Sequence, residues 1–392
     1  MKRIYLDHAA TTPLDSRVGE KMQPYFSKIF GNASSVHSFG QEADDGVEKA
    51  REQAAEFLGA KAGEIIFTSG ATEGNNTVIK TVPAILKEKE GKDHIIILGI
   101  EHPCVLDSAD YMKKQGFRIT TLPVNKQGIV EPTTLEEAID DKTALVSIMY
   151  ANNEIGSIQP IAKLSEIAHD KGVLFHTDAV QAINYLNCQV DDLGVDYLTL
   201  SAHKFYGPKG VGLIYKRQGA PLSQFMHGGA QENHLRAGTL NVPGIVGLGA
   251  AIELAGKEQA RRSKHAQKLR DKIIAGIQEK IDDVLVNGSL DQRLPNNANI
   301  TFKYVEGESM LLSLDLEGVA VSTGSACSSG SLEPSHVILA LGMPKEFSHG
   351  SLRFSFGQDN TAAEVDYVLE KLSPIIARLR KMSPVAPAKY HK

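Results

Sequence analysis

From about residue 41 to residue 260 the chain alternates between two hydrophobic periods. Stretches with apolar residues three and four apart read as helices with one buried face, and short apolar runs rich in β-branched residues read as strands. Residues 41–58 form an amphipathic helix stopped at Gly59, residues 64–68 a strand, 72–87 a helix, and 94–100 a second, wholly apolar strand. Further strands fall at 144–149, 173–176, 197–200 and 212–215. Helices alternating with buried strands predict a mostly parallel sheet covered by helices, the larger part of an α/β protein.

Beyond Leu254 the pattern changes. A charged helix carries Leu269, Ile273, Ile277 and Ile281 four residues apart, so one face is apolar and the other solvated. Strands at 299–302, 319–322 and 351–356 and a closing helix at 362–379, with a disturbance expected at Pro374, make a second, smaller body. The tail, 383–387, is expected to be mobile.

A chain of 392 residues with 42% hydrophobic content buries a large core and divides into two domains. Its formal charge of −5 argues against a nucleic-acid or anionic-membrane partner, since both call for concentrated positive charge. The most apolar run, 95–100, is far below the ~20 residues of a membrane span, and the start meets Asp7 before any signal-like stretch. Cys104, Cys188 and Cys327 are odd in number and widely spaced, which disfavours both a disulfide framework and a metal site. A reducing cytoplasm fits.

Candidate chemistry gathers at strand ends. Residues 172–178 read as a buried strand delivering the Asp178 carboxylate, suited to holding a pyridine nitrogen protonated. Lys204, in Ser201-Ala202-His203-Lys204 just past the next strand, is placed to form a Schiff base. Ser69-Gly70-Ala71-Thr72 is a strand, a glycine turn and a helix start, where free N–H groups and the helix dipole suit a phosphate; an ordinary cap is the alternative. His102 follows a strand as a candidate ring-stacking proton carrier, and Asn153 and Gln181 offer neutral hydrogen-bonding groups to a phenolic oxygen. Arg353, alternating with Leu352 and Phe354, is shaped to grip an α-carboxylate, a surface ion pair being the alternative. Cys327 lies in a run of small residues, 322–331, expected to form a mobile loop that swings a thiol. Cys104 and Cys188 read as thiols without chemistry.

In this order, Leu6-Asp7-His8-Ala9-Ala10-Thr11-Thr12-Pro13, Ser69-Gly70-Ala71-Thr72-Glu73, Glu101-His102, Asn152-Asn153-Glu154-Ile155-Gly156, Asp178-Ala179-Val180-Gln181, Ser201-Ala202-His203-Lys204 and Gly324-Ser325-Ala326-Cys327 closely resemble the NifS/IscS cysteine desulfurases over nearly the whole chain. The resemblance implies a pyridoxal 5'-phosphate (PLP) transferase of fold type I: a mostly parallel seven-stranded sheet in a large domain, 15–256, and a smaller α+β domain from 1–14 and 257–392. It implies a cytoplasmic homodimer that turns L-cysteine into L-alanine and passes the sulfur to Cys327 as a persulfide, then to an acceptor such as an iron–sulfur scaffold or a tRNA-thiolation protein. By motif, Lys204 is the Schiff-base lysine, Asp178 pairs with the pyridinium and His102 stacks on the ring. Asn153 and Gln181 bind its oxygen side. Ala71, Thr72, Ser201 and His203 hold phosphate, joined by Thr239 from the partner subunit. Asn32, Asn153 and Arg353 take the substrate. No metal is implied beyond transient iron–sulfur ligation by Cys327. Ala33 stands where the family often has proline, and the C-terminal tail does not match the docking extension of IscS. A selenocysteine lyase, a class V aminotransferase and a non-catalytic assembly scaffold remain as alternatives.

Overall fold

The computed structural model describes residues 3–323 and 334–391. Cys327 and the loop expected around it therefore lie outside the described residues. After a two-residue strand, β1 (Ile4–Tyr5), seven strands build the main sheet: β2 (Ile65–Thr68), β3 (His94–Leu98), β4 (Arg118–Leu122), β5 (Thr143–Ser147), β6 (Leu174–Asp178), β7 (Tyr197–Ser201) and β8 (Gly212–Lys216). Their order is β2-β8-β7-β6-β5-β3-β4. All neighbours are parallel except the two pairs that include β8. Strands β3, β5 and β7 are buried at every position because helices cover both faces; burying one such Val, Leu or Ile side chain contributes about 1.5–3 kcal/mol. The sequence pattern locates six of the seven. The missing one, β4, is a half-exposed edge strand of sequence Arg-Ile-Thr-Thr-Leu, without the apolar run that marks its neighbours.

The smaller body holds β9 (Val284–Val286), β10 (Asn297–Phe302) and β12 (Ser351–Ser355) as an antiparallel sheet, while β11 (Val319–Ala320) pairs in parallel with β1. Bridges from Asp7 to Ser355 and from Ser322 to Arg353 tie the two together. The N-terminal segment thus belongs to this second core, where Ile4 and Leu6 pack with Ile273, Ile277, Phe302, Phe354 and Val368.

Three expectations change. The helix placed after Leu254 is the second half of a 39-residue helix, Val242–Lys280, whose Val242, Ile245, Leu248 and Ile252 pack in the main core and whose Leu269, Ile273 and Ile277 pack in the second. Pro374 does not interrupt the closing helix, which runs Ala362–Met382. The tail is tethered at Ala386, whose carbonyl meets His391 Nε2 at 3.0 Å, and beyond it Tyr390 donates to Asp283 Oδ2 at 2.6 Å, accepts from Arg380 at 3.3 Å and lies under the Arg380 guanidinium.

Candidate active site

The cavity of about 570 Å³ at the carboxyl ends of β5, β6 and β7 is lined by residues from both bodies. Parallel strands end there with their next residues free of the ladder, which is why the polar side chains collect. Ala71, Thr72, His102, Asn153, Asp178, Gln181, Ser201, His203, Lys204 and Arg353 all line it. Asn32 and Thr239 do not: Asn32 is exposed and closes a turn by accepting from the Ser34 N–H at 3.0 Å, and Thr239 is exposed on the outer surface.

Asp178 ends β6 and is 6% exposed. Its Oδ2 accepts from the Asn75 side-chain amide at 2.7 Å and its Oδ1 from the Val180 N–H at 3.0 Å, so the carboxylate cannot rotate freely. Lys204 closes a 3-10 turn, Ala202–Lys204, that continues from β7. Its Nζ donates to the carbonyls of Ala9 and Ala10 at 2.7 and 2.6 Å, and Gln181 Nε2 donates to Ala9 O at 2.9 Å. The N-terminal motif therefore lies over the lysine.

Gly70, with a φ of 153°, opens the helix Ala71–Glu90 and lets its first turn lie against Ser201, whose Oγ is 3.5 Å from where a Cβ would stand. Glu73 in that turn is neutralised by Arg236 at 2.9 Å and bonded by Ser69. Thr72, Ser201 and the helix N-terminus make an anion cradle.

His102 caps the helix Pro103–Lys114, its Nδ1 accepting from the Cys104 N–H at 3.2 Å. A neutral ring so bonded carries its proton on Nε2. Burial holds His102 below the ordinary histidine range, Lys204 adding to this and Asp178 opposing it. Burial likewise lowers His203 to about 4.

Arg353 is buried at 3% exposure, so the surface ion-pair alternative fails. Its Nη2 meets Asp7 Oδ1 at 2.7 Å and its Nη1 donates to Asn153 O at 2.9 Å, while its buried Nε has no partner. The guanidinium lines the cavity, where a fixed cation suits a carboxylate.

Four further residues are assigned no role by the sequence. Cys104 was expected to be idle, yet it lines the cavity, with Sγ 3.1 Å from His102 Nδ1 and 3.2 Å from Asn75 Nδ2. Burial, with help from Asp178, pushes its thiol up to about 12, so it stays protonated. Glu101 is fully buried; Oε1 accepts from the Met149 N–H at 2.7 Å, Oε2 has no partner, and burial pushes its pKa well above the ordinary carboxyl range. Glu154 accepts from Ser335 Oγ at 2.5 Å and is pushed up to about 7 by burial. Asp7 is the fourth, as the partner of Arg353. The strand-end position of Glu101 and the motif positions of Asp7 and Glu154 hinted at them. Among the described residues no group of three or more metal-ligating side chains converges, and no helix is long and apolar enough to cross a membrane.

A phosphate cradle, a carboxylate held at the end of one strand and a lysine just past the end of the next fit pyridoxal phosphate. Comparisons with known proteins agree. The model of the class-V aminotransferases matches residues 4–368. A cysteine desulfurase IscS of Dictyoglomus turgidum is 53% identical over 385 residues, 98% of this chain and 97% of that one. A solved NifS-like protein superposes with a TM-score of 0.90 at 40% identity, covering 96% of this chain and all of that chain, and the structure of SspA in complex with cysteine with 0.81 at 36%, covering 92% and 100%. The chain belongs to the class-V aminotransferases, within them to the pyridoxal-phosphate-dependent cysteine desulfurases of NifS/IscS type. Its fold is accordingly PLP fold type I.

Proposed function

We propose that this protein takes the sulfur from L-cysteine onto Cys327 as a persulfide, releases L-alanine, and hands the sulfur to an acceptor protein such as an iron–sulfur scaffold. The observation that carries this is one cavity walled by Lys204, Asp178 and Arg353. When bound there, pyridoxal phosphate supplies a carbonyl for the substrate amine and an electron sink for its α-carbon. Ala71, Thr72, Ser201 and His203 would hold its phosphate, Asp178 its ring nitrogen, and Asn153 and Gln181 its oxygen side.

Arg353 holds the substrate carboxylate, with Asp7 and Asn153 O keeping the guanidinium in place. Lys204 Nζ carries the proton of the α-carbon. The Cys327 thiolate attacks the substrate sulfur: the S–S bond forms, the C–S bond breaks, and its electron pair goes to carbon, which takes up a proton. His102, neutral with its proton on Nε2, is the donor at the ring face.

Residues 15–256 act as the cofactor-binding domain and 1–14 with 257–392 as the smaller domain. The working unit is a cytoplasmic homodimer whose partner supplies Thr239 to the phosphate. The exposed positions of Thr239 and Asn32, and the exposed Phe30, Val36 and Phe39 close to Asn32 in sequence, support a second subunit that covers them. Mass spectrometry after exposure to L-cysteine tests the reading: one sulfur atom is expected on the peptide containing Cys327. Unchanged cysteine-to-alanine turnover in Cys327→Ala overturns it.

A further inference from the structure

Behind Asp178 the buried polar groups form one directed chain. Asn75 lies fully buried in the helix Ala71–Glu90 and donates through Nδ2 to both Asp178 Oδ2 and Cys104 Sγ, at 2.7 and 3.2 Å. A carboxylate only accepts, so the orientation of this amide is fixed and its oxygen must be the acceptor of another group. That group is the Thr199 hydroxyl on β7. Having given its one proton, Thr199 Oγ1 accepts from His176 Nε2 on β6 at 3.3 Å, and His176 Nδ1 then accepts from Ser147 Oγ on β5 at 2.8 Å. On the cavity side the Cys104 thiol donates its proton to His102 Nδ1.

Every link uses a donor once, and Ser147, His176, Thr199 and Asn75 are each 0–1% exposed. Burial lowers His176 to about 3, so the ring carries the single proton this direction requires. The approach of helix to strand is close: a Cβ on Gly74 would stand 3.0 Å from Thr199 Cγ2. None of Ser147, His176 and Thr199 lines the cavity. An apolar strand interior would avoid the desolvation of four polar side chains, and a fully satisfied buried network is the kind that holds a unique geometry.

We propose that the relay Ser147–His176–Thr199–Asn75 is a positioning device for pyridoxal phosphate, fixing through one amide both the carboxylate of Asp178 and, by way of Cys104, the ring orientation and tautomer of His102. It rests on the cofactor placement proposed above. Thr199, which alone among the described residues bonds the Asn75 side-chain oxygen, can be cut with little change of shape.

The test compares holoenzymes of Thr199→Val, Thr199→Ser and Asp178→Ala for cofactor dissociation constant, visible absorbance band, thermal midpoint, and kcat and KM for L-cysteine. Thr199→Val is expected to bind the cofactor about ten-fold more weakly, with a displaced band and a fall in kcat at near-constant KM; Thr199→Ser restores all three. A Thr199→Val enzyme with native affinity and band, whatever its thermal midpoint, overturns the relay if Asp178→Ala loses the cofactor. If Asp178→Ala also retains it, the cofactor placement itself fails. Should Thr199→Val not fold, Cys104→Ala cuts the last link, and an unchanged band there is equally fatal.

Discussion

The two walls of the cavity hold their charges in different ways. On the cofactor wall, at the ends of β5, β6 and β7, Asp178 is bonded through both oxygens and backed by a helix; nothing on that carboxylate is free to turn. On the substrate wall, β12 presents Arg353 with two of its three nitrogens engaged and the buried third without a partner. A resident group calls for a closed, preorganised partner, whereas a substrate that comes and goes calls for donors that are aimed but available. Glu154 sits on the seam. Its carbonyl accepts from Asn297 and Asn299 of the smaller body, and its carboxyl accepts from Ser335.

Breaking the cofactor wall has the largest effect. Lys204→Ala is expected to lower alanine release from L-cysteine on the order of 10³-fold or more, and borohydride is expected to fix no cofactor to it. Breaking the substrate wall is milder and falls elsewhere: Arg353→Leu raises KM about 10- to 100-fold with cofactor content unchanged, and Arg353→Lys recovers only part, since a single ammonium cannot reproduce the fork. Cofactor loss in Arg353→Leu would erase the distinction between the walls.

The seam gives a signed dependence on pH. Glu154 moves from an ordinary 4.5 to about 7 on folding. Between those values the folded protein keeps a proton that the unfolded chain has lost, so stability from this group falls as pH rises, by ~3 kcal/mol in all. Glu154→Gln removes the penalty. Its melting point is expected to exceed that of the parent at about pH 8 and to match it near about pH 4; equal curves at both would mean that Glu154 is charged and solvated. The smallest effect is a control far from both walls: Cys188→Ala deletes a buried thiol, 2% exposed, and lowers stability by about 1 kcal/mol without changing cofactor affinity.

What the sequence made legible is what depends on local order. Asp178, Ser201 and Lys204 sit where strands end, and a strand end is visible as the limit of an apolar run. Thr72 follows a glycine turn for the same reason. Asn75 and Cys104 were not legible, because their importance lies in meeting each other across 29 residues of chain. Nor was the pairing of Arg353 with Asp7, 346 residues apart, though each was noticed alone. The strand Arg118–Leu122 was hidden by its polarity, and the helix Val242–Lys280 was cut short because its first half, Gly-rich and apolar, lacks the charged stripe of its second.

That helix has a thermal consequence. At 1.5 Å per residue its 39 residues make a rod roughly 60 Å long whose two halves are glued into different hydrophobic interiors. Neither interior can dissolve without fraying the rod that helps to hold the other. A scanning calorimeter should therefore record a single endotherm for the whole chain, with matching calorimetric and van't Hoff enthalpies, where two independently built lobes would give two.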